Sequence, residues 1–175
     1  MLGAVCETAL CDSGATLTVQ IDSIEQQIHR LLSAQLQGVM ATQQDAQPYT
    51  SLMAFAHTDD LRYLVFATFR ETQKHANLMS NALVSFLIDD RSNDPVDYQR
   101  ATALSVFGRA VAIVADERAA YLSLFLGKHS GLQDFVASPD CVLMRVEVSC
   151  YRLVSEFQTV RVLRMESPPL TVGPP

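Results

Sequence analysis

From Gly38 onward the chain advances in short β-favouring runs whose connections are too brief for repeated crossovers, which limits it to a sheet of mainly antiparallel neighbours. The runs are Val39 to Thr42, Tyr49 to Ala56, Tyr63 to Phe69 and Leu83 to Ile88, separated by Gln43 to Pro48 and by Thr58, Asp59 and Asp60. A polar stretch follows, Asp89 to Arg100, in which Asp94-Pro95 favours a turn. Ala101 to Val114 then resumes as a long strand with Gly108 inside it, and a glycine there marks a bulge or a close backbone approach. Cys141 to Val148 and Tyr151 to Phe157 read as two further strands, and Val160 to Met165 as another or as an extension of the last.

Helical spacing occurs at the ends of this run of strands. Ile21, Ile24, Ile28, Leu31, Leu32 and Leu36 share one helical face, with Asp22 and Ser23 as candidate caps and Glu25 in the first turn. Asp116 to Phe125 has a second helical pattern that Gly127 is expected to stop or kink, and a short piece runs from Leu132 to Val136. The predicted class is α+β, with six or more mostly antiparallel strands and flanking helices, which allows a closed or split barrel. Met1 to Thr18 lacks a sustained period and reads as a loose arm, residues 19–165 as one domain, and residues 166–175, rich in proline, as an irregular tail.

A chain of 175 residues with 49% hydrophobic residues suits a single packed core, and its formal net charge of -6 argues against a broad nucleic-acid or anionic-membrane surface. Every apolar run is interrupted well short of the roughly 20 residues that span a bilayer, so a soluble protein is expected. Met1 to Thr18 has no basic region ahead of an apolar core, which makes a cytoplasmic location the default expectation. Cys6, Cys11, Cys141 and Cys150 include no Cys-x-x-Cys pair, and His29, His57, His75 and His129 show no paired ligand spacing, so neither zinc nor a disulfide scaffold is expected. Walker, Rossmann-glycine and G-x-S-x-G sequences are absent, which argues against NTPase, Rossmann dehydrogenase and serine hydrolase classes. The acidic group Asp89, Asp90, Asp94 and Asp97 lacks EF-hand spacing and reads as a solvated connection.

The stretch with most chemical content is Phe66 to Leu78, where an apolar strand runs into a helix over Thr72 to Asn81. Thr72 is a plausible N-cap, and a helix N-terminus offers free N–H groups and the positive end of its dipole. Arg70, Thr72 and Lys74 there would add charge-assisted hydrogen bonds to a bound anion. On spacing alone the same residues also fit an ordinary solvated turn.

The order of these pieces resembles the pyridoxamine 5′-phosphate oxidase-like family of FMN-binding split β-barrels. The resemblance covers about Ile24 to Phe157 and rests on Gly38-Val39-Met40-Ala41-Thr42, Gln47-Pro48-Tyr49-Thr50-Ser51, Phe66-Ala67-Thr68 running to Thr72-Gln73-Lys74 and Asn77-Leu78, Val84-Ser85-Phe86, and Val106-Phe107-Gly108-Arg109-Ala110. It implies a six- or seven-stranded split barrel that binds FMN, with the phosphate on Thr72 and Lys74 and with Arg70 and Gln73 nearby. Thr50, Ser51, Leu52 and Met53 would line the flavin from one strand, and Ala67 and Thr68 from its neighbour. It further implies a homodimer with the cofactor at the subunit interface, where Ala103 and Ser105 of the second copy are weaker candidates, and oxidoreductase activity on a small molecule. The chain departs from the pyridoxamine oxidases proper in having no Trp, in ending Arg164-Met165-Glu166-Ser167-Pro168-Pro169, and in placing Gln73 where those enzymes carry an arginine. A vitamin B6 oxidase is therefore not expected. A deazaflavin-dependent reductase and a non-enzymatic flavin or haem binding module, with His129 as the haem contact, stand as alternatives.

Overall fold

The computed structural model of the chain describes residues 22–156 and 159–166. The expected arm, Ile21, Phe157 and the tail beyond Glu166 lie outside the described residues. The first helix, α1, spans Ile24–Ala34 and begins at Ser23, whose hydroxyl accepts from the Gln26 amide while the Gln26 side chain accepts from the Ser23 amide. This reciprocal box satisfies two donors that a helix start leaves bare. Leu36 falls beyond the helix and is exposed, so the apolar stripe is shorter than its spacing suggested.

Strands β1 (Gln37–Gln44) and β2 (Gln47–Ala54) form a hairpin longer than predicted, since only Asp45 and Ala46 turn. Both have positive φ, 49° and 62°, the primed-turn geometry that matches the twist of paired strands. The run predicted to continue to Ala56 breaks at Phe55, after which β3 (Ala56–His57) pairs with β4 (Tyr63–Phe69). Helix α2 (Gln73–Ser80) and strand β5 (Leu83–Asp89) follow, then a short helix α3 (Asp97–Arg100) inside the acidic connection. There Asp97 accepts from Ser92 and from the Asp94 amide, so the carboxylate organises its own loop. Next come β6 (Ala103–Ala112), α4 (Ala115–Lys128), a 3₁₀ turn, α5 (Gln133–Ala137), β7 (Cys141–Ser155) and β8 (Thr159–Arg164).

Among the described residues eight strands join one sheet in the order β2-β1-β5-β6-β7-β4-β3, with β8 added on β7, and every pairing there is antiparallel. The sheet curls into a split barrel with helices at its sides; the eighth strand is accounted for by counting the two-residue β3 separately. The two strands expected over Cys141 to Phe157 are one strand of 15 residues, which pairs with β4 in its first half and β8 in its second. The change occurs at Ser149, where the β6–β7 register slips between Phe107 and Gly108. Ser149 bonds instead to the Phe107 carbonyl and receives the Met165 amide.

The main core fills the concave face with Ile28, Leu32, Phe55, Phe66, Phe86, Met144 and Tyr151. A second cluster of Val65, Ala67, Phe125, Val136 and Leu143 lies beneath α4 and α5. Covered on both faces, β4 is buried continuously from Leu64 to Thr68, as its unbroken apolar run anticipates. Helix α4 ends at Lys128, one residue past the expected stop at Gly127, and its end is docked: Lys128 bonds the Leu32 carbonyl at 2.6 Å and His129 Nε2 meets the Phe55 carbonyl at 2.8 Å. Lys128 also sits over the Phe55 ring, and burial pushes its pKa down to about 8.

Near that junction His29 Nδ1 and His57 Nε2 are 3.3 Å apart. Burial first, then the positive charges of Lys128 and His29, push the His57 pKa down from 6.5 to about 4, against the opposing pull of Asp59. The unfolded chain therefore holds the His57 proton more tightly than the folded one, and stability should be full above about pH 6.5 and fall as pH drops toward 4. Urea midpoints at pH 7 and pH 5 should differ in that sense, and His57→Gln should reduce the difference. A Cβ on Gly108 would lie 2.3 Å from the Glu147 carbonyl oxygen and 2.6 Å from Val146 Cγ1. Backbone cannot yield there as a side chain would, so Gly108→Ala should cost about 2 to 3 kcal/mol in the same assay.

Candidate functional site

Strand β4 delivers the chain to α2 through Arg70, whose amide donates to the Asp140 carbonyl at 3.0 Å. Thr72 has extended backbone, φ -105° and ψ 148°, and its Oγ1 accepts from the His75 amide, which makes it the N-cap the sequence indicated. The same hydroxyl donates to the Phe69 carbonyl at 2.9 Å and lies 3.1 Å from the Thr68 hydroxyl, which then acts as donor to it. The Thr72 side chain is thus committed to the protein. The Ala76 amide reaches the Thr72 carbonyl, and the amides of Gln73 and Lys74 have no partner among the described residues.

Two cations flank these free donors. Arg70 is exposed and Lys74 half-buried, and neither forms an ion pair among the described residues, the adjacent Glu71 included. Free N–H groups and a helix dipole, with uncommitted cations two positions to either side of Thr72 in the chain, are features that suit a phosphate or carboxylate better than a neutral group.

The other predicted residues divide by the pleat of their strands. On β2, Thr50 and Leu52 are exposed on the convex face, whereas Met53 packs in the main core and Ser51, two positions before it, shares its side. On β4, Ala67 belongs to the second core cluster and only Thr68 touches the start of α2, through Thr72. Sequence reasoning missed Gln44, Thr42 and, as a side chain with a role, Asn77. Gln73 Nε2 donates to Gln44 Oε1 at 2.9 Å and to Asn77 Oδ1 at 2.8 Å, and Asn77 Nδ2 donates to Thr42 Oγ1 at 3.0 Å. The one available signal was the i, i+4 spacing of Gln73 and Asn77, which puts both on one helix face.

The convex face itself carries two cross-strand rows. One runs Leu52, Val39, Leu87, Ser105, Arg152, Val162 and the next Thr50, Ala41, Ser85, Phe107, Cys150, Arg164. Leu52 is 65% exposed, Leu87 39%, Phe107 38% and Val162 45%, so the face has an apolar stripe with no cover among the described residues. A cavity of about 550 Å³ opens beside Leu87 and Ala103 beneath the β5–β6 connection. Among the described residues no set of three or more His, Cys, Asp or Glu is placed to hold a metal ion, and no helix is long and apolar enough to cross a membrane. His129 is buried against Phe125 with Nε2 engaged by Phe55.

A family model described as pyridoxamine 5′-phosphate oxidase matches residues 24–155. Among solved structures, the haem-binding protein of Mycobacterium smegmatis is similar at a TM-score of 0.75 with 16% identity, over 83% of this chain and 60% of that one. A protein of unknown function from Agrobacterium tumefaciens gives 0.65 and 18%, over 75% and 57%. A FAD-binding protein from Mesorhizobium loti gives 0.59 and 17%, over 73% and 91%. The chain thus spans 60% and 57% of the length of the first two, and identities this low establish the shared fold alone. No curated protein matches in sequence.

Removing the cap tests the local construction. Thr72→Ala should lower stability by about 1 kcal/mol, the usual loss for an N-cap hydroxyl. Hydrogen exchange should speed up at the His75 amide, which that hydroxyl holds.

Proposed function

Because this chain belongs to the pyridoxamine 5′-phosphate oxidase family, whose model covers residues 24–155, we propose that it binds FMN with the phosphate at the N-terminus of α2. We extend this reading to a cytoplasmic, homodimeric oxidoreductase acting on a small substrate. The observation that carries the cofactor assignment is the pair of unpartnered amides at Gln73 and Lys74 beside the uncommitted Arg70 and Lys74 side chains. Those donors suit a phosphate monoester in number and charge. Two N–H groups and the Lys74 ammonium would bind its oxygens, and Arg70 would balance the remaining charge.

The chemistry would come from the flavin, which supplies electron transfer through its ring system. The protein's own residues would bind, orient and shield it. Thr50 and Leu52 lie on the same convex face as the apolar stripe through Leu87 and Phe107. A second copy covering that stripe would therefore also cover the flavin-lining strand and exclude water from it, which favours a cofactor held between subunits. The haem alternative loses support from His129, whose burial and bond to Phe55 give it a structural task.

Purified protein should take up FMN and show the visible bands of an oxidised flavin after excess is removed. Lys74→Ala should weaken FMN binding by about 1.5 to 3 kcal/mol, the worth of a hydrogen bond to a charged group, and Arg70→Ala by less, since exposed Arg70 balances charge through solvent. A protein that stays colourless, with Lys74→Ala behaving like the parent, would count against the reading. A reduced deazaflavin bound in place of FMN would keep the phosphate seat and change the redox assignment. Phe107→Glu should shift the protein to a monomer in sedimentation velocity, since a charge would then be buried in the apolar stripe.

A further inference from the structure

The first turn of α2 is anchored to the β1–β2 hairpin by a chain of side-chain hydrogen bonds. Gln73 commits one amide proton to Gln44 Oε1 and the other to Asn77 Oδ1; Asn77 donates to Thr42; and the Thr42 hydroxyl reaches the Tyr49 carbonyl at 3.4 Å. Asn77 is 1% exposed and Thr42 3%, so these groups have no water to fall back on. Reversing the Asn77 amide alone would set its Nδ2 against the Gln73 donor and leave a buried N–H unmatched, which costs more than one ordinary hydrogen bond returns. With both donors used, the Gln73 side chain has only its carbonyl oxygen uncommitted, and an oxygen is the wrong partner for a phosphate.

The hairpin on the other side of this latch is held in shape by its turn. Asp45 and Ala46 both sit in the left-handed region, where neither is a glycine, and Gln44 pairs with Gln47 directly beneath them. Strained backbone of this kind persists where surrounding contacts over-determine it.

We propose that Gln44, Gln73, Asn77 and Thr42 are positioning residues for the anion seat, and that Gln73 serves the phosphate through its backbone N–H and not through its side chain. The network clamps the opening turn of α2 to the hairpin, keeping the free Gln73 and Lys74 amides in register with the Lys74 and Arg70 side chains. This inference rests on the reading that the seat takes the flavin phosphate.

The test compares FMN with riboflavin, which lacks only the phosphate, across Gln44→Ala, Gln73→Ala, the double variant and Asn77→Leu. Each single change should weaken FMN about three- to tenfold and leave riboflavin unchanged, since a clamp on the seat matters only to the phosphate. Gln44→Ala and Gln73→Ala should be non-additive, the double losing no more than the worse single, because either one opens the same latch. Additive losses, with Gln73→Ala much the larger, would mean that Gln73 ligates the phosphate directly and would overturn the proposal. Equal losses for FMN and riboflavin would reduce the network to general stability and overturn it as well. Wild-type protein that binds neither FMN nor inorganic phosphate would remove the phosphate reading and this inference together, whereas wild-type binding with unaffected variants would remove this inference alone. Should Asn77→Leu fail to fold, the two glutamines, both exposed, carry the test.

Discussion

The fold turns on the contact between Gly108 and the backbone of Glu147, where no side chain fits. That approach lets β6 stay paired with β7 on both sides of the bulge at Ser149, and the bulge is where β7 exchanges β4 for β8. One strand thereby serves two neighbours on the same edge, and the sheet curls without ending. The concave side then closes over a core large enough for Phe55, Phe66, Phe86 and Tyr151, with the Tyr151 hydroxyl donating to the Leu61 carbonyl at 2.7 Å. Placing β4 against the first half of β7 also fixes where β4 ends, and with it the start of α2.

Charge at the seat is a local matter. The chain as a whole carries a formal net charge of -6, which repels anions at long range. Within about one Debye length, roughly 8 Å at physiological salt, the uncommitted Arg70 and Lys74 and the helix dipole prevail. An anion bound there would be held by contact and not drawn in from a distance.

Much of this is legible in the sequence for identifiable reasons. The bounds of β4 can be read because Arg62 and Arg70 bracket an unbroken apolar run, and Thr72 announces its cap by residue type. Gly108 stands out because a residue without a side chain weakens a strand unless another backbone must come close or a bulge must form, and here both occur. What the sequence hides depends on distant partners. The break expected near Ser149 and Cys150 is absent because a bulge absorbs it, and the docking of the end of α4, just past Gly127, depends on bonds from Lys128 and His129 to α1 and Phe55. The latch joins Asn77 to Thr42, 35 positions apart, so local spacing can reveal only its Gln73–Asn77 half. Alternation tells the two faces of each strand apart, but nothing in it says that Leu52, Leu87 and Phe107 lie uncovered.

The capping box makes α1 a helix, but two of its hydrogen-bond partners come from far along the chain. Lys128, which bonds the Leu32 carbonyl, is 96 positions away, and Arg161, which bonds Gln27, is 134. During synthesis α1 would leave the ribosome long before either arrives, with the apolar side of Ile28, Leu31 and Leu32 open to water. Docking of α1 is therefore completed in stages: His57 and the core residues of β5 come within its reach early, and the bonds from Lys128 and Arg161 close only after the last helices and strand have formed.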